Sequence, residues 1–206
     1  QPGLPAVLRE IPGGLPAADN PVDLDIGAAG LALDASVGTL IHRCLQLIAN
    51  GDLHAWTSQR ICGLAPAYRR WLTQTGHTAD DATRGAEVAV NALCRTLESP
   101  TGRWLLAQTD EAAAEQAWTS VSAEDATPVT VNHVIDRIFI ADGCRWIVDY
   151  KTVTVPADAD TSTFLNARTS DYRQQLMRYA GLFGNEARPL RLAIYYVLQD
   201  MLIELE

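Results

Sequence analysis

The chain has 206 residues, of which 48% are hydrophobic and 20% charged, and this ordinary globular composition excludes a fibrous or wholly disordered protein. Its formal net charge of −9 excludes a protein that holds nucleic acid through its overall field, so any grip on DNA must be local, metal-mediated or supplied by a partner. The sequence shows neither an apolar run of transmembrane length nor a signal peptide, which predicts a cytoplasmic protein without membrane contact.

The first part of the chain is predicted to be a linker or a draped arm. Residues 1–33 hold five of the ten prolines among Gly, Ala and Leu, a composition that blocks helices and central strands. We expect residues 34–206 to form one well-cored domain. Its first helix is predicted over residues 35–50, where apolar residues recur at helical spacing and Gly51 provides a stop. His42 lies beside that apolar stripe, where a lone histidine is more often structural than a ligand.

The middle of the chain is predicted to be helical and then to turn into strands. Three helical segments precede the first strand: residues 53–71, 78–97 and 99–106. The strand follows over residues 115–121 and begins with Glu115. This glutamate is either a further catalytic carboxylate or an exposed strand charge, and the sequence favours neither.

A β-hairpin carries the residues around which we organise the prediction. Its two strands are predicted over residues 129–140 and 146–151. Asp142-Gly143 between them is a strong signal for a two-residue turn. That turn sets Asp136 directly opposite Asp149 on one face, with Cβ atoms roughly 5 Å apart. Two carboxylates that close repel unless a cation lies between them or one keeps its proton. The register therefore predicts a metal site.

The chain has 15 arginines and a single lysine, Lys151, which lies two residues after Asp149 and therefore on the same strand face. Opposite charges on a half-buried strand cost desolvation energy that folding does not require. The ammonium of lysine is a compact point charge that can approach a phosphate oxygen or a water, whereas the guanidinium of arginine is a planar fork of donors. We therefore expect Lys151 to serve chemistry together with the two acids.

The remaining chain is predicted to supply a border to the site and the last strands. A polar loop over residues 156–163 leads to a helix over 170–183, on which Gln175 and Tyr179 stack at i and i+4. Two closing strands complete the predicted elements: residues 191–198 and 202–205.

The four cysteines are spread along the chain without a C-x-x-C pair: Cys44, Cys62, Cys94 and Cys144. This spacing matches neither a zinc nor an iron–sulfur site, and it predicts reduced thiols in the core of a cytosolic protein.

Four segments, in this order and at suitable intervals, resemble the RecB-type nuclease domain of the PD-(D/E)XK superfamily: GTLIHRCL at 38–45, VIDRI at 134–138, WIVDYKT at 146–152 and YRQQLMRYA at 172–180. More narrowly, they are similar to the C-terminal nuclease domain of RecB- and AddA-like helicase–nucleases, which are related to UvrD and Rep. The resemblance covers roughly residues 35–206. It implies an α/β fold with a restriction-endonuclease-like core, in which helices flank a mixed central β-sheet.

The resemblance also implies roles for individual residues. Asp136 and Asp149 would bind Mg²⁺, which Mn²⁺ can replace, together with His42 and the backbone carbonyl of Tyr150. Lys151 would steady the attacking water or the charge that builds on the phosphate.

Further positions are implied to border the site or contact DNA: Gln175, Tyr179, Arg137 and Thr152. Glu115 falls where many members carry a strand glutamate. One departure is His133, where members usually have glycine. The cysteines that hold an iron–sulfur cluster in some members are missing after Cys144, so we expect no cluster.

The implied activity is exonucleolytic hydrolysis of DNA by one part of an ATP-dependent helicase–nuclease in bacterial double-strand-break repair and recombination. The lone lysine follows Tyr150, so the chain has no Gly-Lys-Ser/Thr nucleotide loop. We therefore expect a UvrD-like helicase region, in the same full-length chain or in a partner subunit, to deliver single-stranded DNA. The start at Gln1 rather than Met agrees with a longer full-length chain. Two alternatives stay open: a stand-alone structure-specific endonuclease, and an inactive module for DNA binding or assembly.

Overall fold

The first helix begins earlier than the sequence predicts. The computed structural model describes residues 28–109, 111–122 and 129–205, and the side chains of 32–109, 111–114 and 134–205. Helix α1 spans Ala28–Ala49, whereas we predicted a start at residue 35. Leu33 is buried in the core and packs near Gly85, which explains why the helix extends towards the N-terminus. The predicted arm lies outside the described residues up to residue 27 and stays a prediction there.

Helices make up the N-terminal half. After α1 come a 3₁₀ turn and four helices: Leu53–Ala55, α2 (Ser58–Gly63), α3 (Ala65–Gln74), α4 (Ala79–Glu98) and α5 (Pro100–Leu106). The Thr78 side chain accepts a hydrogen bond from the Asp81 N–H at the start of α4, as its sequence predicts. Within the described ranges, no helix is both long and apolar enough to cross a bilayer.

Five strands form one mixed sheet in the order β1-β2-β3-β4-β5. Their bounds are Ala113–Ser122, Val129–Ala141, Cys144–Lys151, Leu190–Tyr196 and Met201–Glu204. Strand β3 pairs parallel with β4, and the other neighbours are antiparallel. All of β3 except its two end residues is buried, as is typical of a strand in the interior of a sheet.

Helices cover both faces of the sheet. On one face, α1 to α5 pack against aromatic strand residues such as Phe139 and Trp146. On the other face, helices α6 (Thr161–Asp171) and α7 (Arg173–Gly181) cover Ile138 and Ile147. The predicted α/β class, with a mixed central sheet flanked by helices, is confirmed.

Helix α6 is the main element that the sequence interpretation lacked. We predicted a loop over residues 156–163 and one helix over 170–183, but α6 and α7 are separate helices that meet at Tyr172. Asp160 caps α6 by accepting a hydrogen bond from the Thr163 N–H. The many Thr and Ser residues of α6 hide its helical character, because these residues are common in loops.

Candidate active site

The turn of the β2–β3 hairpin has the geometry that its sequence predicts. Asp142 and Gly143 have φ angles of 52° and 72°, and a type I′ turn requires both to be positive. Ala141 then pairs with Cys144, as predicted from the turn. The register of the hairpin is therefore confirmed from its tip.

The pairing between β2 and β3 runs down to Arg137 and Val148. Asp136 and Asp149 come next in the same register, one on each strand. Beyond this point β3 continues beside β4 through Lys151. The two acids therefore mark the position where the hairpin ladder ends within the sheet.

Asp136 is held by a backbone N–H and by an imidazole. Its Oδ2 accepts a hydrogen bond of 2.7 Å from the Tyr150 N–H. Its Oδ1 lies 3.3 Å from His42 Nδ1 on helix α1. Burial raises the pKa of Asp136, but the charge and hydrogen bond of His42 and the Tyr150 N–H outweigh it, so the net pKa is lowered. Burial likewise lowers the pKa of His42, yet the nearby acids raise it overall.

Asp149 lies buried in contact with a cation. Its Oδ2 is 2.7 Å from Lys151 Nζ. Burial first, and then the negative charge of Asp136, raise the pKa of Asp149 to about 6. The Asp136 carboxylate accepts from the N–H of Tyr150, the residue that follows Asp149, so the two acids lie next to each other.

Lys151 remains an ammonium at neutral pH. Burial lowers its pKa, but the charge and hydrogen bond of Asp149 outweigh burial and raise the net pKa. A lysine in this state is a poor general base and a good fixed positive charge.

Gln175 on α7 connects the charged pair to Tyr179. Its Nε2 donates to Asp149 Oδ1 at 3.1 Å and to the Tyr179 hydroxyl at 2.8 Å. Its Oε1 accepts from Lys151 Nζ at 3.3 Å. The structure thus brings the predicted i, i+4 pair of this helix to the acid–lysine cluster.

Tyr172 contacts Lys151 and has no predicted role in the site. Its ring lies under the ammonium, with Lys151 Nζ 4.5 Å from the ring centroid. A cation over an aromatic face is attracted by the ring quadrupole. The only signal in the sequence is that Tyr172 stands three residues before Gln175 in the YRQQLMRYA segment.

A divalent cation suits the donor types of this cluster. Carboxylate oxygens are the ligands that Mg²⁺ prefers, and Asp136 and Asp149 supply them side by side. The buried Asp149 Oδ2 already has a cationic partner, Lys151 Nζ at 2.7 Å, so its surroundings suit a positive charge. Across the side chains described, however, no three His, Cys, Asp or Glu residues already converge on one point. Here His42 contacts Asp136 instead.

Arg137 is not brought to the cluster, and we correct its predicted role. The side chain is buried, and its guanidinium donates to Leu105 O at 2.7 Å and Ala107 O at 2.5 Å. These carbonyls end helix α5, so Arg137 caps that helix below the sheet and is not open to DNA. Its place in the VIDRI segment, next to Asp136, had suggested otherwise.

The structure describes the side chain of one of three further predicted positions, Thr152. Thr152 is half-buried against helix α1, where a Cβ on Gly38 would lie 2.8 Å from Thr152 Oγ1. This close approach places Thr152 one helical turn from His42, bordering the cluster. The side chains of Glu115 on β1 and His133 on β2 lie outside the described residues, so their roles stay predictions.

A comparison with protein families finds one match that covers most of the chain. The model of the PD-(D/E)XK nuclease superfamily matches residues 22–203. This range includes both strands of the hairpin and helix α7. No curated protein matches the chain.

Proposed function

This chain belongs to the PD-(D/E)XK nuclease superfamily, and from that premise we propose that it is a metal-dependent DNA exonuclease domain. The observation that carries the proposal is the cluster of Asp136, Asp149 and Lys151 at the end of the hairpin ladder. Two acids and an ammonium at one point match the needs of phosphodiester hydrolysis, in which negative charge grows on the phosphate.

We assign the metal ligands to the two acids first. Asp136 and Asp149 would hold Mg²⁺, with Mn²⁺ as a substitute, and His42 and the Tyr150 carbonyl are further candidates. A bound divalent cation supplies a water of lowered pKa and neutralises phosphoryl oxygens. His42 would have to exchange its contact with Asp136 for one with the cation.

Lys151 would provide positive charge where the transition state develops negative charge. Its raised pKa keeps it protonated, and its contacts with Asp149 and Gln175 hold the ammonium in place before substrate arrives. Gln175 and Tyr179 would border the bound strand, and Gln175 would also orient the Asp149 carboxylate. Such preorganisation costs nothing at the moment of reaction.

We further propose that a helicase supplies the DNA. The net charge of −9 gives the chain little attraction for DNA of its own. A UvrD-like motor in the same full-length chain or in a partner subunit would deliver single strands during bacterial double-strand-break repair. In that arrangement the domain needs local contacts at its site rather than tight binding.

The proposal is tested with single-stranded DNA in the presence of Mg²⁺ or Mn²⁺. Lys151→Ala should lower kcat by about 10²–10³-fold, because one preorganised charge is lost. The matched control Arg191→Ala removes a half-exposed cation that pairs with Glu204 at the far edge of the sheet, and its activity should be unchanged. An inert wild type, with either metal and with intact partners, would instead support a module for DNA binding or assembly.

The form of the DNA distinguishes exonuclease from endonuclease action. An exonuclease degrades linear single strands and spares circular ones, because it needs an end. Cleavage of circles at a comparable rate would replace the proposed activity with that of a stand-alone endonuclease, while the assigned site would remain.

A further inference from the structure

Helices α2 and α4 pack side by side along a face that is separate from the acid–lysine cluster. Ser58 Oγ at the start of α2 donates to Glu98 Oε1 near the end of α4, at 2.6 Å. Cys94 Sγ, one turn earlier on α4, donates to Ser58 O at 3.8 Å. The start of one helix therefore meets the end of the other, which makes the pair antiparallel.

This register brings two cysteines together that are distant in sequence. Cys62 lies one turn after Ser58 on α2, and Cys94, one turn before Glu98 on α4, contacts the Ser58 carbonyl. From this register we infer that the two cysteine side chains are neighbours. Burial raises the pKa of Cys94, and the Cys62 thiol raises it further, which agrees with this proximity. Both are free, Cys62 is exposed and Cys94 is half-buried. Cys94 also lines an open surface groove with Glu98 and Ser99, through which small molecules can approach.

We propose that Cys62 and Cys94 form a reversible disulfide that joins α2 to α4 when the protein meets a small-molecule disulfide such as oxidised glutathione. This modification is independent of the proposed nuclease activity. For these two residues, the proposal departs from our expectation of reduced thiols in the core.

The chemistry proceeds by two thiol–disulfide exchanges. The exposed Cys62 thiolate attacks one sulfur of the oxidant, breaks its S–S bond and releases one thiolate, which takes up the proton that Cys62 lost. Cys94 then loses its proton and attacks the Cys62 sulfur, which releases the second thiol. Two protein thiols are oxidised and one oxidant disulfide is reduced to two thiols. Burial raises the pKa of Cys94 and so lowers its thiolate fraction, and the second step therefore depends on the high effective concentration of an intramolecular attack.

The disulfide should raise stability because it closes the chain between residues 62 and 94 in the unfolded state. For a loop of this length and a protein of this size, we expect Tm to rise by about 10 °C on oxidation. Reduction with dithiothreitol should restore the lower Tm.

The experiment titrates the purified protein with mixtures of oxidised and reduced glutathione. Peptide mapping without reduction identifies the bond, and thermal unfolding measures Tm. The expected result is a cross-link between the Cys62 and Cys94 peptides within one chain, together with the rise in Tm. Cys62→Ser should abolish both, and its exposed position protects the fold. Cys144→Ser is the matched control and should keep both.

Two outcomes would overturn the proposal. The first is a stable glutathione adduct on Cys62 while the Cys94 thiol stays free. The second is a cross-link between two chains. Because peptide mapping of the wild type decides between these results, the test does not depend on any variant or on nuclease activity.

Discussion

The pKa values of the two acids of the site are shifted in opposite directions by their surroundings. The Tyr150 N–H and His42 lower the pKa of Asp136, whereas burial and the charge of Asp136 raise that of Asp149 to about 6. Paired carboxyl groups with separated pKa values are a mark of functional sites. Without a cation, Asp149 therefore destabilises the protein when it ionises.

The pH dependence of stability tests this destabilisation. The pKa of Asp149 is raised from 3.8 to about 6 in the folded chain, so folding favours the protonated acid. The contribution of this raised pKa to the free energy of unfolding is fully present below about pH 4, and it is lost as pH rises through about pH 6. In EDTA, the free energy of unfolding of the wild type should therefore fall by roughly 2–3 kcal/mol relative to Asp149→Asn across this range.

Urea unfolding of both proteins at intervals between pH 4 and pH 7 measures the difference. Mg²⁺ added at pH 7 should stabilise the wild type and leave Asp149→Asn unchanged, because only the wild type keeps both carboxylates. If the two proteins show parallel pH profiles, Asp149 does not ionise in the way that we describe.

The amide of Gln175 is predicted to position the charged groups that we propose to be catalytic. Gln175→Met keeps the length of the side chain and removes its contacts with Asp149, Lys151 and Tyr179. We expect kcat to fall about 10–100-fold with little change in KM, because misplaced groups are costly mainly in the transition state.

Tyr179→Phe is the matched variant for this prediction. It removes one hydroxyl that accepts from Gln175 and leaves the amide in contact with both charged groups. Its effect on kcat should stay below about tenfold. Equal losses in the two variants would mean that the hydroxyl, rather than the amide, matters for the reaction.

At the scale of elements, the helical layer depends on one close approach between α4 and α5. A Cβ on Gly102 would lie 2.1 Å from Thr96 O, and backbone at this distance cannot yield cheaply. Gly102→Ala should lower the free energy of unfolding by about 1–3 kcal/mol through overpacking. Gly181→Ala, at the end of α7, has open space around the added methyl and should be neutral or stabilise by up to about 1 kcal/mol.

Chemical denaturation of the two alanine variants provides the measurement. The comparison separates two effects on the free energy of unfolding. One is the stability gained when any helical glycine is replaced, and the other is the stability lost through the clash at Gly102. A stable Gly102→Ala protein would show that α5 can move away from α4, and the Arg137 cap on α5 would then have to move as well.

At the scale of the whole molecule, the acidic charge limits how DNA can bind. Two further cations can contact DNA in addition to Lys151 on β3. They are Arg173 and Arg178 on helix α7, and both side chains are exposed. If about three phosphates are neutralised, the slope of log Kobs against log salt for single-stranded DNA should be about −2. Fluorescence anisotropy at several salt concentrations, in Ca²⁺ or EDTA to prevent cleavage, gives this slope. A slope several times steeper would reveal a basic surface that the net charge of −9 conceals.

The parts of the molecule that the sequence predicted best depend on local chemistry. Asp142-Gly143 determines a turn type, the turn determines a register, and the register leads to Asp136 and Asp149. Gln175 and Tyr179 follow in the same way from helical spacing.

Tertiary contacts were harder to predict. Arg137 was predicted to border the site or contact DNA, but α5 passes below the sheet and offers it two carbonyls. The Thr and Ser residues of helix α6 concealed its helical character in the sequence. In the structure, the Asp160 cap and the packing of Leu165 stabilise this helix.

The lysine count has a practical consequence. Lys151 carries the one side-chain amine of the sequence, so reductive methylation with isotope-labelled formaldehyde would tag this position and, beyond it, only the α-amino group. The resulting methyl resonance would act as a built-in reporter for NMR. It would respond to cations and to oligonucleotides at the site, in a wild-type protein that carries no substitution.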